Sequence, residues 1–241
     1  LSASNASGSL EPGLGTTHVV RVATRGLAPR TYTGRLVISD PIATNNPQVV
    51  SVTLVITPPT IPSLVWSWGL NYYNETNVPA DLTNAVAVAG GYYHSLALRA
   101  DGTVVAWGLN DDGQTNVPAG LTNAAAVAGG GYHSLALCKD GRVVAWGYNI
   151  NGETNVPAGL TNAVAIAGGG GHSLALRANG TVVAWGYNGH GRTNVPPDLT
   201  NVVAISGGTG HSLALRADGT VVAWGYNDYG QTNVPMDLSN G

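Results

Sequence analysis

Four histidines are the residues whose type and spacing first suggest chemistry. They recur at intervals of 39 residues, at His94, His133, His172 and His211. A histidine can serve as a general base, a proton carrier or a metal ligand. Here, however, each one occupies the same first position of a strand-like run, without a carboxylate at a fixed catalytic spacing. We therefore interpret all four as structural residues that hydrogen-bond a neighbouring backbone group inside the fold.

The other chemically suggestive features do not form a catalytic set. The glycine run at 168–171 precedes a strand rather than a helix, which favours a tight turn over a phosphate-binding loop. Cys138 stands where other copies have Arg, so we interpret it as a tolerated replacement and at most a reactive surface thiol. The sequence shows no paired acid and base, no activated nucleophile and no metal-binding cluster. It therefore predicts that the protein is not an enzyme and that it has no catalytic, cofactor-binding or metal-binding residue and no cofactor.

The histidines belong to a 39-residue unit that recurs along residues 64–241. Each copy contains three strand-like runs, which in the second full copy are 124–128, 133–137 and 142–146. An Asp-Gly or Asn-Gly pair lies between the second and third runs, at 101/102, 140/141, 179/180 and 218/219. These pairs predict a type I′ turn and antiparallel pairing of the two runs. No stretch has a sustained apolar period of 3.6 residues, so helices should be nearly absent.

A three-stranded unit of this size cannot bury its own core, so several units must stack against one another. Side-by-side stacking of such sheets produces the blades of a β-propeller. A large indole in every unit can fill the wedge between adjacent sheets. We therefore interpret the repeated tryptophans as structural residues, namely Trp68, Trp107, Trp146, Trp185 and Trp224.

The repeat also resembles a known family. The pattern G-G-x-x-H-S-L-A-L-x-x-D-G-x-V-V-A-W-G-x-N-x-x-G-Q-T is similar to the repeat of the regulator of chromosome condensation family, in the short bacterial form found in β-lactamase inhibitor protein II. The resemblance implies a propeller of seven three-stranded blades. The third-strand element occurs five times, first at Val65, whereas the other two elements occur four times each. We expect about 4.3 blades, a truncated seven-bladed ring whose exposed edge strands could self-associate.

The first 57 residues lack the repeat and alternate polar with apolar residues. The alternation is clear at 17–23, 31–39 and 48–57. The turn at Tyr32 and Gly34, together with the closing V-x-V-T-L-V-I run, resembles bacterial immunoglobulin-like modules of the BACON type. The sequence thus predicts an all-β chain with a partial immunoglobulin-like β-sandwich at 1–57, a Pro-rich linker at 58–63 and propeller repeats at 64–241.

Two dipeptides differ between copies while the strands and turns stay the same. One pair follows the Trp-Gly-x-Asn element and the other precedes the histidine. Tyr, Asp, His and Asn on a rigid scaffold are typical of a recognition surface, although drift at unconstrained loop positions would give the same variation. The resemblance places both pairs towards one face of the propeller. The candidate partner-binding residues are Tyr72, Tyr73, Tyr92, Tyr93, Asp111, Asp112, Tyr132, Ile150, Asn151, His190, Asp228 and Tyr229.

Composition narrows the class of partner. The net charge is −3 and the only lysine is Lys139, which disfavours a nucleic-acid partner. No run approaches the ~18 apolar residues of a membrane span, so we expect no membrane insertion. We predict a non-enzymatic, secreted or cell-surface bacterial module that binds a protein or a glycan through the variable loops. The alternative is a structural or adhesive segment of a large bacterial surface protein, without a specific ligand.

Overall fold

The computed structural model describes residues 30–38, 48–56 and 65–239, and it divides the chain into two units, Leu1–Thr60 and Ile61–Gly241. In the first unit, strand β1 (Arg30–Ile38) pairs antiparallel with β2 (Gln48–Ile56). The rest of the predicted sandwich, and the linker at 58–63, lie outside the described residues. The immunoglobulin-like interpretation therefore stays a prediction.

The second unit contains four three-stranded antiparallel sheets, which we call blades 1 to 4. In each blade the middle strand of the sequence is also the middle strand of the sheet. The all-β, partial-propeller prediction is confirmed. The strands are β3 (Ala85–Gly90), β4 (His94–Arg99) and β5 (Val104–Gly108) in blade 1; β6 (Ala124–Gly129), β7 (His133–Cys138) and β8 (Val143–Gly147) in blade 2; β9 (Ala163–Gly168), β10 (His172–Arg177) and β11 (Val182–Gly186) in blade 3; and β12 (Val202–Gly207), β13 (His211–Arg216) and β14 (Val221–Gly225) in blade 4.

The turn between the second and third strands of each blade is not the predicted type I′ turn. Gly102 has φ +86°, whereas Asp101 is not among the residues with positive φ. A type I′ turn would need positive φ at both positions. Instead, the Arg99 N–H bonds to the Thr103 carbonyl and the Gly102 N–H bonds to the Arg99 carbonyl, which closes a three-residue loop. The Asp101 carboxylate accepts the Thr103 N–H at 2.9 Å and thereby selects this turn.

Adjacent blades are held together by a repeated apolar interface. One side of each blade carries two leucines of its middle strand, and the other side carries an alanine and the tryptophan. Between blades 2 and 3, Leu135 and Leu137 pack against Ala175 and Trp185. Equivalent clusters join blade 1 to blade 2 and blade 3 to blade 4. Because alternate residues of a strand point to opposite sides, the run H-S-L-A-L supplies both surfaces at once.

The first glycine of each Gly-Gly pair lets neighbouring inner strands approach closely. A Cβ at Gly129 would lie 2.5 Å from the Gly90 carbonyl oxygen of the preceding blade, and a Cβ at Gly207 would lie 2.6 Å from the Gly168 carbonyl oxygen. Gly90, in blade 1, has nothing within 4 Å of its Cβ position. The glycine is thus required by blade stacking rather than by the strand itself.

Residues 65–68 do not form the expected leading third strand. They have no ladder partner among the described residues, and no strand is assigned to them. Val65 still packs on the blade 1 cluster of Leu82, Ala97 and Trp107. The prediction of a wedge-filling indole is correct for the later copies, since Trp146 is 7% exposed, but it is wrong for Trp68, which is 85% exposed. Trp68 stays exposed because residues 65–68 do not pair with other strands of the described chain to form a sheet that could enclose the indole.

Helical structure in the described residues is limited to a 3-10 turn, Gly189–Gly191, and a single α-helical turn, α1 (Met236–Ser239). Among these residues, no helix has the length and apolar character needed to span a membrane.

Candidate functional site

Three of the repeated histidines link consecutive blades through a serine hydroxyl. His133 Nε2 lies 2.9 Å from Ser173 Oγ of the next blade, and the Ser173 hydroxyl donates to the Glu153 carbonyl at 3.0 Å. Because that hydroxyl has already used its only hydrogen, the histidine must be the donor, which fixes the proton on Nε2. The same arrangement joins His94 to Ser134 and His172 to Ser212. The partner is therefore a side chain of the next blade rather than the backbone group expected.

Burial of these rings sets their protonation. It lowers the pKa of His94, His133 and His172 to about 4, since a charged imidazole would lose its hydration. Their Nδ1 atoms are buried and have no hydrogen-bond partner among the described residues. Each ring lies against the second glycine of its Gly-Gly pair, where a Cβ would overlap the imidazole. Neutral, enclosed rings of this kind have a geometry suited to joining blades.

The single cysteine is not a surface thiol. Cys138 is 2% exposed and belongs to the cluster between blades 1 and 2. It ends β7 on the side that meets blade 1, and burial raises the pKa of its thiol. The expectation of a reactive surface thiol is wrong because the shorter side chain withdraws into the interface.

The loops that follow the third strands share one hydrogen-bonded frame. Asn110 receives the Thr115 N–H on its Oδ1 and donates its Nδ2 to Asn116, and the same bonds recur in all five copies. In four copies a Gln or Glu side chain accepts the N–H of the second variable residue, as Gln114 does for Asp112 at 3.0 Å. The backbone beneath the variable pair is therefore fixed while its side chains differ.

Both variable pairs lie at the same end of the blades, because the third strand ends where the second strand begins. We call this end the loop face. Its outer pairs are 72–73, 111–112, 150–151, 189–190 and 228–229, and its inner pairs are 92–93, 131–132, 170–171 and 209–210. The opposite end, which carries the Asp-Gly and Asn-Gly turns, is the turn face.

The inner pairs form a continuous strip from blade to blade. The Tyr92 N–H bonds to the Gly131 carbonyl, and the Gly131 N–H bonds to the Gly169 carbonyl. The Tyr92 side chain crosses over the following blades, so a Cβ at Gly131 would lie 3.2 Å from its Cε2 and a Cβ at Gly170 only 2.7 Å from its hydroxyl. The atoms nearest to these two Cβ positions, however, are backbone carbonyl oxygens of the following blade, those of Gly170 and Thr209. Glycine at both inner positions is therefore required mainly by the close approach of neighbouring backbones.

Five tyrosines of blades 1 and 2 and the preceding loop form a connected group, the tyrosine cluster. Tyr73 and Tyr93 meet edge to face at 5.3 Å, and Tyr92 and Tyr132 do so at 5.8 Å. Tyr132 also lies 6.0 Å from Tyr93 and 6.4 Å from Tyr148. Burial, the neighbouring tyrosines and the charge of Asp112 raise the pKa of Tyr132.

A second group on the loop face, the arginine cluster, lies on blades 3 and 4. The Arg192 guanidinium stands 4.7 Å above the ring of Tyr187 and donates to the carbonyls of Gly189 and Thr209. Tyr226 lies 4.6 Å from His190 and 5.9 Å from Tyr229. Burial and the neighbouring Asp228 raise the pKa of Tyr226.

The structure therefore brings together four of the candidate residues in the tyrosine cluster and three in or beside the arginine cluster. Tyr72, Asp111, Ile150 and Asn151 are exposed on the outer loops, outside these ring contacts. Sequence reasoning missed Tyr148, Tyr187 and Tyr226, which occupy the x of Trp-Gly-x-Asn. That position holds Leu in the first two copies and Tyr in the last three, a variation that could have been noticed. No group of three or more His, Cys, Asp or Glu suited to a metal ion occurs in the part of the chain that the structure describes.

Comparison with known proteins identifies the repeat. Residues 85–114, 124–153, 163–192 and 202–231 match the regulator of chromosome condensation (RCC1) repeat. The predicted repeat type is thereby confirmed. No curated protein matches the chain.

Several solved structures resemble the chain, and two of them are of yeast RCC1 (Prp20). The ectodomain of the receptor kinase CR4 from the moss Physcomitrella patens is 26% identical with a TM-score of 0.57, over 70% of this chain and 48% of that one. Prp20p from Saccharomyces cerevisiae, described with its binding to Gsp1p and histones, is 24% identical with a TM-score of 0.55, over 67% and 49%. Yeast RCC1 (Prp20) bound to Kap60 is 23% identical with a TM-score of 0.53, over 64% and 46%. The chain thus spans about half the length of these structures, and the two yeast structures support the fold alone.

Proposed function

Because residues 85–231 carry four RCC1-type repeats, a general protein-binding fold, we propose that this chain is a non-catalytic module that recognises a protein partner through its loop face. The observation that carries the proposal is the combination of a fixed loop frame with variable side chains. Five Asn-based frames and four Gln or Glu acceptors hold the backbone, while the displayed pairs include Tyr, Asp, Ile and His. This division of labour is typical of binding surfaces on rigid scaffolds.

The tyrosine cluster supplies the anchor of the proposed surface. Tyr73 and Tyr92 remain exposed although their rings contact other tyrosines. A pre-ordered aromatic ring loses little conformational entropy when a partner covers it, and tyrosine is enriched among residues that dominate binding energy. The crossing of Tyr92 over Gly131 and Gly170 supports the same conclusion, since three blades cooperate to place one side chain.

The test is capture of partners from the cells that make this protein and from their medium. The variant Y72A/Y73A/Y92A/Y93A should lose every specifically captured protein. A double variant on the turn face, D140N/D218N, should retain them, since it leaves the tyrosines untouched. Equal capture by the wild type and the tyrosine variant would refute the proposal. Binding to a glycan array without capture of any protein would support carbohydrate recognition instead. If neither assay shows a ligand, a structural or adhesive segment is favoured.

We also propose that the protein is secreted or displayed on a bacterial cell surface, as the short bacterial form of the repeat implies. The uninterrupted 39-residue spacing supports that form. The resemblance to a receptor ectodomain agrees with an extracellular setting. Fractionation of the producing cells tests this: recovery of the protein only from the cytoplasm would exclude it.

A further inference from the structure

The two ends of the blades differ in net charge. Among the side chains described in residues 65–239, the turn face carries balanced charges: Asp81, Asp101, Asp140, Asp198 and Asp218 against Arg99, Lys139, Arg142, Arg177 and Arg216. The loop face carries Glu75, Asp111, Asp112, Glu153 and Asp228 against the single cation Arg192. The net negative charge of the described propeller therefore resides on the loop face.

The charges of the turn face are also better compensated. Arg142 pairs with Asp140 at 2.8 Å, and Arg99 approaches Asp81 at 3.5 Å. On the loop face, the exposed carboxylates of Asp111 and Asp112 accept no hydrogen bond and form no ion pair within residues 65–239. Asp112 is the one whose charge acts on Tyr132. Both uncompensated carboxylates belong to the loop of Gln114, whose backbone lies close to Tyr132, since a Cβ at Gly147 would meet the Tyr132 carbonyl oxygen at 2.8 Å and Gln114 Cα at 3.0 Å.

Arg192 illustrates how this surface binds a guanidinium group. It stacks 4.7 Å above Tyr187, while its Nε donates to the Gly189 carbonyl at 2.8 Å and its Nη1 to the Thr209 carbonyl at 3.1 Å. In the preceding repeat, Tyr148 takes the place of Tyr187, but Glu153 takes the place of Arg192. Tyr148 belongs to the tyrosine cluster, and no cation of the described chain stacks on that cluster.

We infer that the loop face binds an arginine-bearing segment of its protein partner. Guanidinium groups would stack on the tyrosine cluster, and Asp111 and Asp112 would pair with them. Arginine is favoured over lysine because its planar, weakly hydrated group stacks on aromatic rings and pairs with carboxylates in two places at once. This inference rests on the proposed recognition by the loop face and names the chemistry of the partner.

The test is titration of the intact chain with three fluorescent peptides that alternate Gly with Arg, Lys or citrulline, a neutral analogue of arginine. Binding of the arginine peptide should be about fivefold tighter than that of the lysine peptide, because both cations can contact a ring but only the guanidinium stacks flat on it and pairs with a carboxylate through two N–H groups. The citrulline peptide should bind weakest. Raising the salt concentration should weaken binding of the arginine peptide, since salt screens exposed ion pairs.

Matched variants locate the binding. The variants D111N/D112N and Y93A/Y132A should each weaken binding of the arginine peptide. The variant D140N/D218N on the turn face should leave that binding unchanged. Thermal unfolding checks that every variant folds. Equal affinity for the three peptides, or binding that survives both loop-face variants, would overturn the inference. If partner capture depends on the tyrosines but the arginine peptide neither binds nor competes, recognition by the loop face stands and only the arginine preference fails.

Discussion

The histidine–serine pairs are polar groups enclosed in an apolar stack, and each serine hydroxyl in them is fully paired although the histidine Nδ1 is not paired within the described residues. Ser173 receives His133 and donates to Glu153, so both ends of its hydroxyl are used. Ser95, the equivalent residue of blade 1, donates to the Glu75 carbonyl and has no histidine partner among the described residues. Ser173 therefore accepts a buried histidine N–H, whereas Ser95 accepts none from a histidine of the described residues.

This difference gives a matched prediction. S173A leaves the His133 Nε2–H without an acceptor, and the free energy of unfolding should fall by about 1–3 kcal/mol. S95A removes one half-buried bond and should cost about 0.5–1 kcal/mol. Denaturant unfolding of both variants measures the two losses, and equal losses would contradict the assigned role of the histidine bond.

The histidines also predict how stability depends on pH. Their pKa of about 4 in the folded protein lies below the ordinary value of 6.5, so the unfolded chain binds more protons between these pH values. Stability should be constant above about pH 7 and fall as the pH drops from 6.5 towards 4, by about 2 kcal/mol per histidine at pH 5. Carboxylates with lowered pKa, such as Asp101 and Asp218, lose their charge only below this window.

Urea unfolding at pH 7.5 and pH 5 measures the effect. In H133Q, the amide can still donate to Ser173 but does not titrate, so about one third of the pH dependence should disappear. A free energy of unfolding that is the same at both pH values would contradict the buried, neutral state of these rings.

At the scale of the element, the strands could be predicted closely because the repeat displays each of them four times. The run predicted at 133–137 is His133–Cys138 in the structure, and helices are almost absent as expected. The turn type could not be predicted from Asp-Gly alone, since the Asp101 side chain bonds to Thr103 and selects a longer loop. The strand predicted at Val65 is absent from the structure. A strand requires a neighbouring strand to pair with, and the residues at 65–68 do not specify whether such a neighbour is present.

The candidate site was predictable in its position but not in its composition. The variable pairs lie at one end of the blades as expected, and their role in binding stays a prediction. The ring contacts could not be predicted because they depend on which side chains reach each other across blades. Tyr148 and Tyr132 meet although their copies of the motif place them in different loops. Arg192 likewise occupies a position where other copies have Gln or Glu, and its stacking on Tyr187 is visible only in three dimensions.

The close approach of inner strands gives a prediction about glycine. G129A would drive a methyl group into the Gly90 carbonyl and should lower stability by about 1–3 kcal/mol or more. G90A, at the same position of blade 1, meets no atom within 4 Å and should be neutral or slightly stabilising. Thermal unfolding of the two variants measures these effects. A similar loss of stability in both would mean that the strand, not the stacking of blades, requires glycine.

For the whole molecule, stability should be distributed unevenly along the row of blades. Leu176 of blade 3 is 3% exposed, because blade 4 covers it, whereas Leu215 at the same position of blade 4 is 38% exposed. In a repeat protein each unit is stabilised mainly by its neighbours. The inner blades should therefore open less readily than blades 1 and 4.

Truncation of equivalent leucines tests this distribution. L176A should cost about 2–5 kcal/mol, the usual range for a buried leucine, and L215A less than about 1 kcal/mol, since water already reaches that side chain. Amide hydrogen exchange provides an independent measurement, with slower exchange expected in β7 and β10 than in β13. Equal costs at the two positions would show that something covers blade 4 in solution.

The histidine–serine bond has one further consequence, which concerns how such a gene can change. Each of the three histidine–serine bonds joins a histidine to the serine 40 positions further on, in the next repeat. Duplication or loss of any 39 consecutive residues within the array restores every one of these bonds at the new junction. A single inserted residue between Gly130 and His133 would instead separate the ring from the glycine it lies on. Recombination between copies can therefore lengthen or shorten the row, and exchange its loop pairs, without passing through a misfolded intermediate.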